Sequence, residues 1–514
     1  MKKTYKYLII ILALMLILGI MLKFTLFNNS DNQNVSSNNG SMGANSSSSA
    51  NSTDIDKIKA DIEDKKRGDE SYNEYNCKID LNTLSVDGSG ASVSNNTITI
   101  AKEGVYYFSG TNEDCNIVVN AGDDSNVVLV FENANITSKK TAVINGINAK
   151  NIVINLKEGS TNTFTDSSNY TEFTEDDEPD ATVFSKTDLK ITGKGTLVVN
   201  ANYQDAIASK DDLIITDATI KITAKDDGLR GKDSVNIKDA NITITTSDGD
   251  TIKATNEDDS TKGYVVINGG TYNLSSADDG IHAETALIID NANINITKSV
   301  EGLEGMHVEI NSGDIKIVSS DDGINATDGS GSSQMGGMNS STNSNVQIVI
   351  NGGSIYVNAA GDGLDANGNI VQTGGDVVVV GTTQNGNGAL DYDGTYNISG
   401  GTLIAYGATG MWQNPSTSST QNSIAFSNSG SAGDKIEIKD SNGNTIASFT
   451  TEKAYGGVVI SSSKIEQGKT YTLYVNGNSK SSQEQTSVVT SQLSGEGMMG
   501  GGQMQGGMMR QRNH

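Results

Sequence analysis

Asp227-Gly228-Leu229-Arg230-Gly231 is the stretch on which the fold turns, because its order of acidic, small, aliphatic, variable and small residues keeps returning. It comes back as Asp250-Thr251-Ile252-Lys253-Ala254, Asp279-Gly280-Ile281-His282-Ala283, Glu301-Gly302-Leu303-Glu304-Gly305, Asp322-Gly323-Ile324-Asn325-Ala326 and Asp362-Gly363-Leu364-Asp365-Ala366. Looser copies flank these at Asp205-Ala206-Ile207-Ala208-Ser209 and Gly388-Ala389-Leu390-Asp391-Tyr392. From Asp205 to Asp362 the acidic positions stand 22, 23, 29, 22, 21 and 40 residues apart, the last gap holding a low-complexity insertion. Periods of this size mark a solenoid.

Within one period three strands are legible, at 229–231, 235–238 and 241–246, which makes a three-sided coil. Val235 and Ile237, then Ile242 and Ile244, alternate with polar neighbours, so one face of each strand points inward. Leu229 is then expected to stack on Ile252, Ile281, Leu303, Ile324 and Leu364, with coils about 4.8 Å apart pairing in parallel. The fold class expected is all-β: a right-handed parallel β-helix with a small antiparallel β module at its C-terminal end. Propeller blades need roughly 40 residues each, and the helical half of a leucine-rich repeat is absent.

Working outward, strands at 116–119, 126–131, 151–156 and 196–200 continue the pattern with weaker turns, and the acidic stretch 174–180 around Pro179 reads as a loop. The solenoid is assigned to 76–421, with the insertion at 329–345. Residues 422–478 change character, with strands at 435–439, 445–450, 458–460 and 471–475 and a hairpin turn at Asp440-Ser441-Asn442-Gly443. This module is expected either to cap the open strand edges of the solenoid or to stand as an independent binding unit. Residues 479–514 read as a disordered Gly/Met-rich tail.

At the other end, Lys2, Lys3 and Lys6 precede an apolar run, so 1–27 is expected to be an export signal or an uncleaved membrane anchor. Residues 28–75 follow as a Ser/Asn-rich tether. The body is therefore expected outside the cell, at its surface and as a monomer, touching a membrane only through the N-terminal segment.

The chain's 514 residues are only 35% hydrophobic and 5% aromatic, with 57 Gly and 2 Pro, a mixture suited to short strands and tight turns. A net charge of −26 excludes nucleic acid as a natural partner, since binding phosphates relies on Lys and Arg. Cys77 and Cys115 are the only cysteines; they are open to pairing in an oxidising compartment or to remaining free thiols.

Stacking the repeats brings Asp227, Asp250, Asp279, Glu301, Asp322 and Asp362 into one column at a corner, with Asp226, Asp278 and Asp321 just before. Such a column repels itself, and calcium, which takes oxygen ligands in flexible geometry, relieves it. The alternative is that each carboxylate only caps its turn by accepting backbone N–H groups. The fourth position of the pattern points outward, giving Arg230, Lys253, His282, Glu304, Asn325 and Asp365 along one face. Arg230 and Lys253, with Lys210 and Lys232, form a basic patch suited to the carboxylates of an acidic sugar, or to ordinary pairing with nearby aspartates. Tyr356, Tyr392, Tyr406 and Trp412 are candidate flat surfaces for sugar rings. A lyase reading, with calcium acidifying a uronate and Arg230 removing a proton, competes with this, but acids that recur at every coil suit ion binding better than a unique catalytic site.

With the Asp-Gly-aliphatic repeats, Asp226-Asp227-Gly228-Leu229, Asp278-Asp279-Gly280-Ile281, Gly361-Asp362-Gly363-Leu364-Asp365 and the closing Lys469-Thr470-Tyr471-Thr472-Leu473-Tyr474, the chain resembles the clostridial family of extracellular carbohydrate-binding β-helix proteins across roughly 78–477. The resemblance implies a pectate-lyase-like right-handed β-helix with bound calcium, attached to acidic plant sugars such as polygalacturonate or to cellulose, and with no assigned catalytic activity. The Met-rich insertion and tail and the scarcity of aromatics depart from that pattern and count against cellulose. Non-catalytic, calcium-assisted binding of acidic polysaccharide is the function expected, with a calcium-dependent polysaccharide lyase and a surface adhesin or spacer as alternatives.

Overall fold

The computed structural model describes residues 72–173, 178–256, 258–328 and 345–493. The N-terminal segment expected as signal or anchor, the tether up to residue 71, nearly all of the 329–345 insertion and the tail beyond 493 lie outside the described residues.

Among the described residues there is no helix, and 38 strands join one continuous sheet. Asp205–Ser209, Asp212–Thr216 and Thr219–Ala224 form one coil. Each pairs in parallel with its counterpart one period on, Leu229–Gly231, Ser234–Lys238 and Asn241–Thr246. The same register passes through later coils to Leu390–Tyr392, Tyr396–Ile398 and Thr402–Gly407. The chain is a parallel β-helix of three-sided coils. In two successive coils a single strand turns the corner unbroken: Ile281–Asp290 pairs with both Ile252–Ala254 and Tyr264–Asn268, and Leu303–Ile310 with both Ile324–Ala326 and Gln347–Ile350.

Five largely aliphatic columns fill the interior, one from the first strand of each coil and two from each of the other strands. The first is Ile207, Leu229, Ile252, Ile281, Leu303, Ile324, Leu364 and Leu390, none more than 1% exposed. In the N-terminal coils this column continues through Val183, Ile144 and Ile117, while phenylalanines fill another part of the interior, with Phe108, Phe131 and Phe164 in ring contact at 5.0 Å spacings. The small second residue of the repeat also has a packing cause. A Cβ on Gly280 would stand 2.4 Å from the carbonyl oxygen of Gly302, and one on Gly302 2.3 Å from that of Gly323. Neighbouring coils touch backbone to backbone there, and Thr251 is accommodated at the equivalent position with its hydroxyl donating to the Gly280 carbonyl.

The ends depart from the sequence reading. The solenoid opens with two antiparallel hairpins, Cys77–Asp80 with Ser85–Gly88 and Ala91–Ser94 with Thr97–Ile100. At the other end the region after 421 is not one module. Tyr455–Ser462 lies antiparallel between Thr402–Gly407, the last rung, and Ser423–Gly430, so it seals the sheet edge. Only Lys435–Asp440, Thr445–Thr450, Thr470–Val475 and Asn478–Glu484 form the separate antiparallel sheet. The boundary at 478 is also corrected: Asn478–Glu484 pairs with Thr470–Val475 and Val489–Ser491 adds to Ser423–Gly430, so ordered structure continues past the start expected for the tail. Tyr406, Ile424, Phe426, Ile436, Val458, Tyr471 and Leu473 are buried together, which welds this cap to the final coil. Cys77 and Cys115 are buried free thiols.

Candidate functional site

Because each coil repeats the same three strands, it also repeats the same corner, and the acidic residue of the pattern arrives there every time. One oxygen of each aspartate in the column caps a backbone amide, whereas Glu301 accepts from the side-chain amide of Asn325. The amide of Asp227 donates to Asp205 Oδ1 (3.1 Å), that of Asp250 to Asp227 Oδ1 (2.9 Å), that of Asp279 to Asp250 Oδ1 (2.8 Å) and that of Glu301 to Asp279 Oδ1 (3.0 Å). Further along, the amide of Asp362 donates to Asp322 Oδ1 (2.6 Å) and that of Gly388 to Asp362 Oδ1 (2.5 Å). The capping alternative therefore accounts for one oxygen per aspartate and leaves the other to find a partner.

That partner changes along the ladder. The outward fourth position is in register from Ala208 through Arg230, Lys253, His282, Glu304, Asn325 and Asp365 to Asp391. In the first stretch these side chains are basic. Arg230 Nε meets Asp205 Oδ2 at 2.5 Å while its Nη2 meets Asp180 at 2.7 Å. Lys253 Nζ is 2.9 Å from Asp250 Oδ2 and 3.7 Å from Asp227 Oδ2. His282 Nδ1 lies 2.9 Å from Glu304 and 3.4 Å from Asp279. Burial works to lower the His282 pKa, but hydrogen bonds to Asp279 and Glu304 outweigh it and lift the imidazole to about 10.

In the second stretch no ion pair reaches Glu301, Asp322, Asp362, Asp365 or Asp391 among the described residues. Burial pushes Asp322 up to about 6, Asp362 to about 7 and both Glu301 and Asp365 to about 8. For Asp365 the neighbouring carboxylates Asp322, Asp362 and Asp391 push the same way. Oxygens of Asp322, Asp362 and Asp365 lie within 4.8 Å of one another. Beside them Asn325 is 8% exposed; its Nδ2 donates to Glu301 Oε2 at 2.8 Å, while its buried Oδ1 has no donor. A buried carbonyl oxygen without a donor, on a residue in register with Asp365 and next to carboxylates that repel one another, is the chemistry a hard cation satisfies. Similar trios occur at Asp205, Asp226 and Asp227, at Asp250, Asp279 and His282, and at Asp279, Glu301 and Glu304. Asp278 and Asp321 sit in the column but face solvent.

The expected basic patch is present but engaged. Lys210 pairs with Glu178 at 3.0 Å and Lys232 with Asp258 at 3.2 Å, so all four cations have carboxylate partners. Glu178 and Asp180, which supply two of these, were read from sequence as part of a loop; no repeat pattern connects them to Lys210 or Arg230. The aromatic candidates are largely unavailable, with Tyr406 and Trp412 at 2% and 4% exposure and Tyr356 and Tyr392 only partly exposed.

A relative from Acetivibrio thermocellus, described as a carbohydrate-binding domain-containing protein, is 38% identical over 231 residues, covering 44% of this chain and 80% of the relative. The chain belongs to that family. The profile of the carbohydrate-binding domain-containing proteins matches residues 94–345, so this family's signature includes the first stretch of the ladder and ends before Asp362, Asp365 and Asp391. A solved structure described as the polysaccharide lyase-like protein from C. thermocellum, a gadolinium derivative, is 34% identical, covers 50% of this chain and 98% of its own, and superposes with a TM-score of 0.42.

Proposed function

We propose that this member of the family binds acidic polysaccharide outside the cell without cleaving it, that the binding is assisted by calcium, and that residues 1–27 tether the body to the cell surface. The observation that carries the reading is the uncompensated second stretch of the ladder, where Asp322, Asp362 and Asp365 converge beside the donorless carbonyl of Asn325. Calcium takes about six to eight oxygens in forgiving geometry. These four residues and Glu301 supply the protein's share, and the solvent side is left for water or a uronate carboxylate. Of the expected ligands, Glu301, Asp322 and Asp362 belong to this site and Asp321 flanks it. Asp226, Asp227, Asp250, Asp278 and Asp279 belong to the stretch that Arg230, Lys253 and His282 already serve.

Among the basic residues, Lys210 and Lys232 are the ones suited to exchange a protein carboxylate for a sugar carboxylate, with side chains 32% and 44% exposed. Arg230 and Lys253 are held inside ion pairs. The non-catalytic reading rests on the same fact: Asp205 and Asp180 overcome the effect of burial and raise the Arg230 pKa, so this guanidinium holds its proton and is unsuited to act as a base. Polygalacturonate is the preferred ligand, and cellulose is the weaker one because flat exposed aromatics are scarce.

The test is retention of the full chain on immobilised polygalacturonate. Calcium is expected to hold it, a chelator to release it, and no absorbance from unsaturated uronates to accumulate. Retention that ignores the chelator sinks the calcium reading, and growing absorbance replaces binding with a lyase.

A further inference from the structure

One turn of the solenoid carries an aromatic platform that the ladder does not use. On the coil before the first full repeat, the amide of Lys225 donates to the Ala201 carbonyl (3.1 Å) and that of Asp226 to the Gln204 carbonyl (3.1 Å). Two consecutive residues of the lower coil are thus clamped to two that stand three apart above, and Asn202 and Tyr203 bulge outward between the clamps. The bulge is fixed: Asp166 Oδ1 accepts the Asn202 amide at 2.6 Å, and Asn202 Nδ2 donates to the Asp166 carbonyl at 2.9 Å. The Tyr203 ring stacks on Tyr170, centroids 4.2 Å apart and planes 15° from parallel. Tyr170 is itself buried, its hydroxyl bonded to Asp166 Oδ2 at 2.8 Å. Phe173 completes the group, tilted 55° to Tyr203 at 6.4 Å. At 42% exposure it is the one exposed aromatic side chain among the described residues.

An aromatic ring left in water on a rigid support is unfavourable unless an apolar face covers it, and the C–H face of a pyranose is such a surface. One coil below, about 4.8 Å along the axis, Lys225 is exposed and makes no ion pair among the described residues, unlike the four cations of the patch. We infer that Phe173 and Tyr203 form a stacking subsite for one uronic-acid ring of a polysaccharide, and that Lys225 meets its carboxylate. The inference rests on the carbohydrate-binding reading and adds a place and a ring chemistry to it. All three residues lie inside 94–345.

The experiment is calorimetric titration of the full chain with a purified oligogalacturonate, alongside its neutral, esterified form. Phe173→Ala and Tyr203→Ala are expected to weaken binding of both sugars by up to about tenfold each. Lys225→Gln is expected to weaken the acidic sugar alone. Circular dichroism checks that each variant keeps its fold, and Phe173, being exposed, can be removed without touching the core. If wild type binds and the two aromatic variants bind equally well, the subsite is wrong while the carbohydrate-binding reading stands. If Lys225→Gln leaves the preference for the acidic form unchanged, the uronate assignment falls. If wild type binds neither sugar, the reading beneath the inference fails with it.

Discussion

The ladder's two stretches are built from one motif and solve one problem in opposite ways. Between Asp205 and Asp279 the fourth residue of the repeat is Arg230, Lys253 or His282, and each places its charge on the carboxylates beside it. From Glu301 to Asp391 the same position holds Glu304, which still meets His282, and then Asn325, Asp365 and Asp391, where the carboxylates face one another. Backbone and register are shared, and the aspartates share their capping hydrogen bonds, so the fourth side chain is the main difference between a coil that neutralises itself and one that calls for an outside cation. Charge at this corner is thus a separable layer written over a common scaffold.

The largest effect expected from breaking this contrast lies in the first stretch. Arg230→Met removes the partner of buried Asp205 and leaves Asp180 with Lys210 at 3.9 Å, and should cost about 3–5 kcal/mol in urea unfolding. A loss below about 1 kcal/mol would mean that the first stretch does not depend on its internal cation. The second stretch should respond to calcium instead. If only the folded chain binds it, calcium at a hundred times its dissociation constant adds about 2.7 kcal/mol. Asp365→Lys, which writes the first solution into the second stretch, should raise stability in chelator and abolish the calcium response. A variant that still gains stability from calcium would place the ion elsewhere.

How much of this was legible in the sequence follows from what repeats. The Leu229 to Leu364 column, the three strands per coil and the acidic corner were readable because every period restates them, and each restatement constrains the others. Register along the fourth position followed from the same periodicity. The pairing of charges did not, since Asp180 and Glu178 reach Arg230 and Lys210 from a loop outside the pattern. Asp391 lies in a degenerate copy whose first residue is Gly388, so the pattern gives no sign of its place in the acidic stretch. The ends failed for a related reason: Tyr455–Ser462 joins the solenoid edge through long-range antiparallel pairing, which alternation within one strand does not specify. Burial of Tyr406 and Trp412 depends on that cap as well, and sequence composition is silent about it.

A smaller effect is read through pH, and both stretches carry it, because burial also pushes Asp205 up to about 7 and Asp227 to about 6. Unfolded carboxylates titrate near about 4, whereas in the fold burial holds Asp322 at about 6, Asp362 at about 7 and Asp365 at about 8. Across that window the folded chain binds more protons than the unfolded one, so stability from these groups falls as pH rises from about 4 to about 8. In chelator the melting temperature of wild type should drop relative to Asp365→Asn through this range, and added calcium should close the gap at the alkaline end. A gap that widens toward acid would reverse the sign and remove the case for charge crowding.

The smallest effect is expected where the basic patch meets solvent. Lys232 and Asp258 pair at 3.2 Å with side chains 44% and 83% exposed. Water and salt already screen such a pair, and ordering both side chains offsets much of what remains. Lys232→Ala should therefore change unfolding stability by no more than about 0.5 kcal/mol, against the several expected for Arg230→Met. That indifference is what makes it informative: a cation contributing little to folding is available to a sugar carboxylate, so polygalacturonate retention should weaken in this variant while stability holds. If both fall together, Lys232 is part of the scaffold, and the division between buried cations that serve the fold and exposed ones that serve the ligand does not hold.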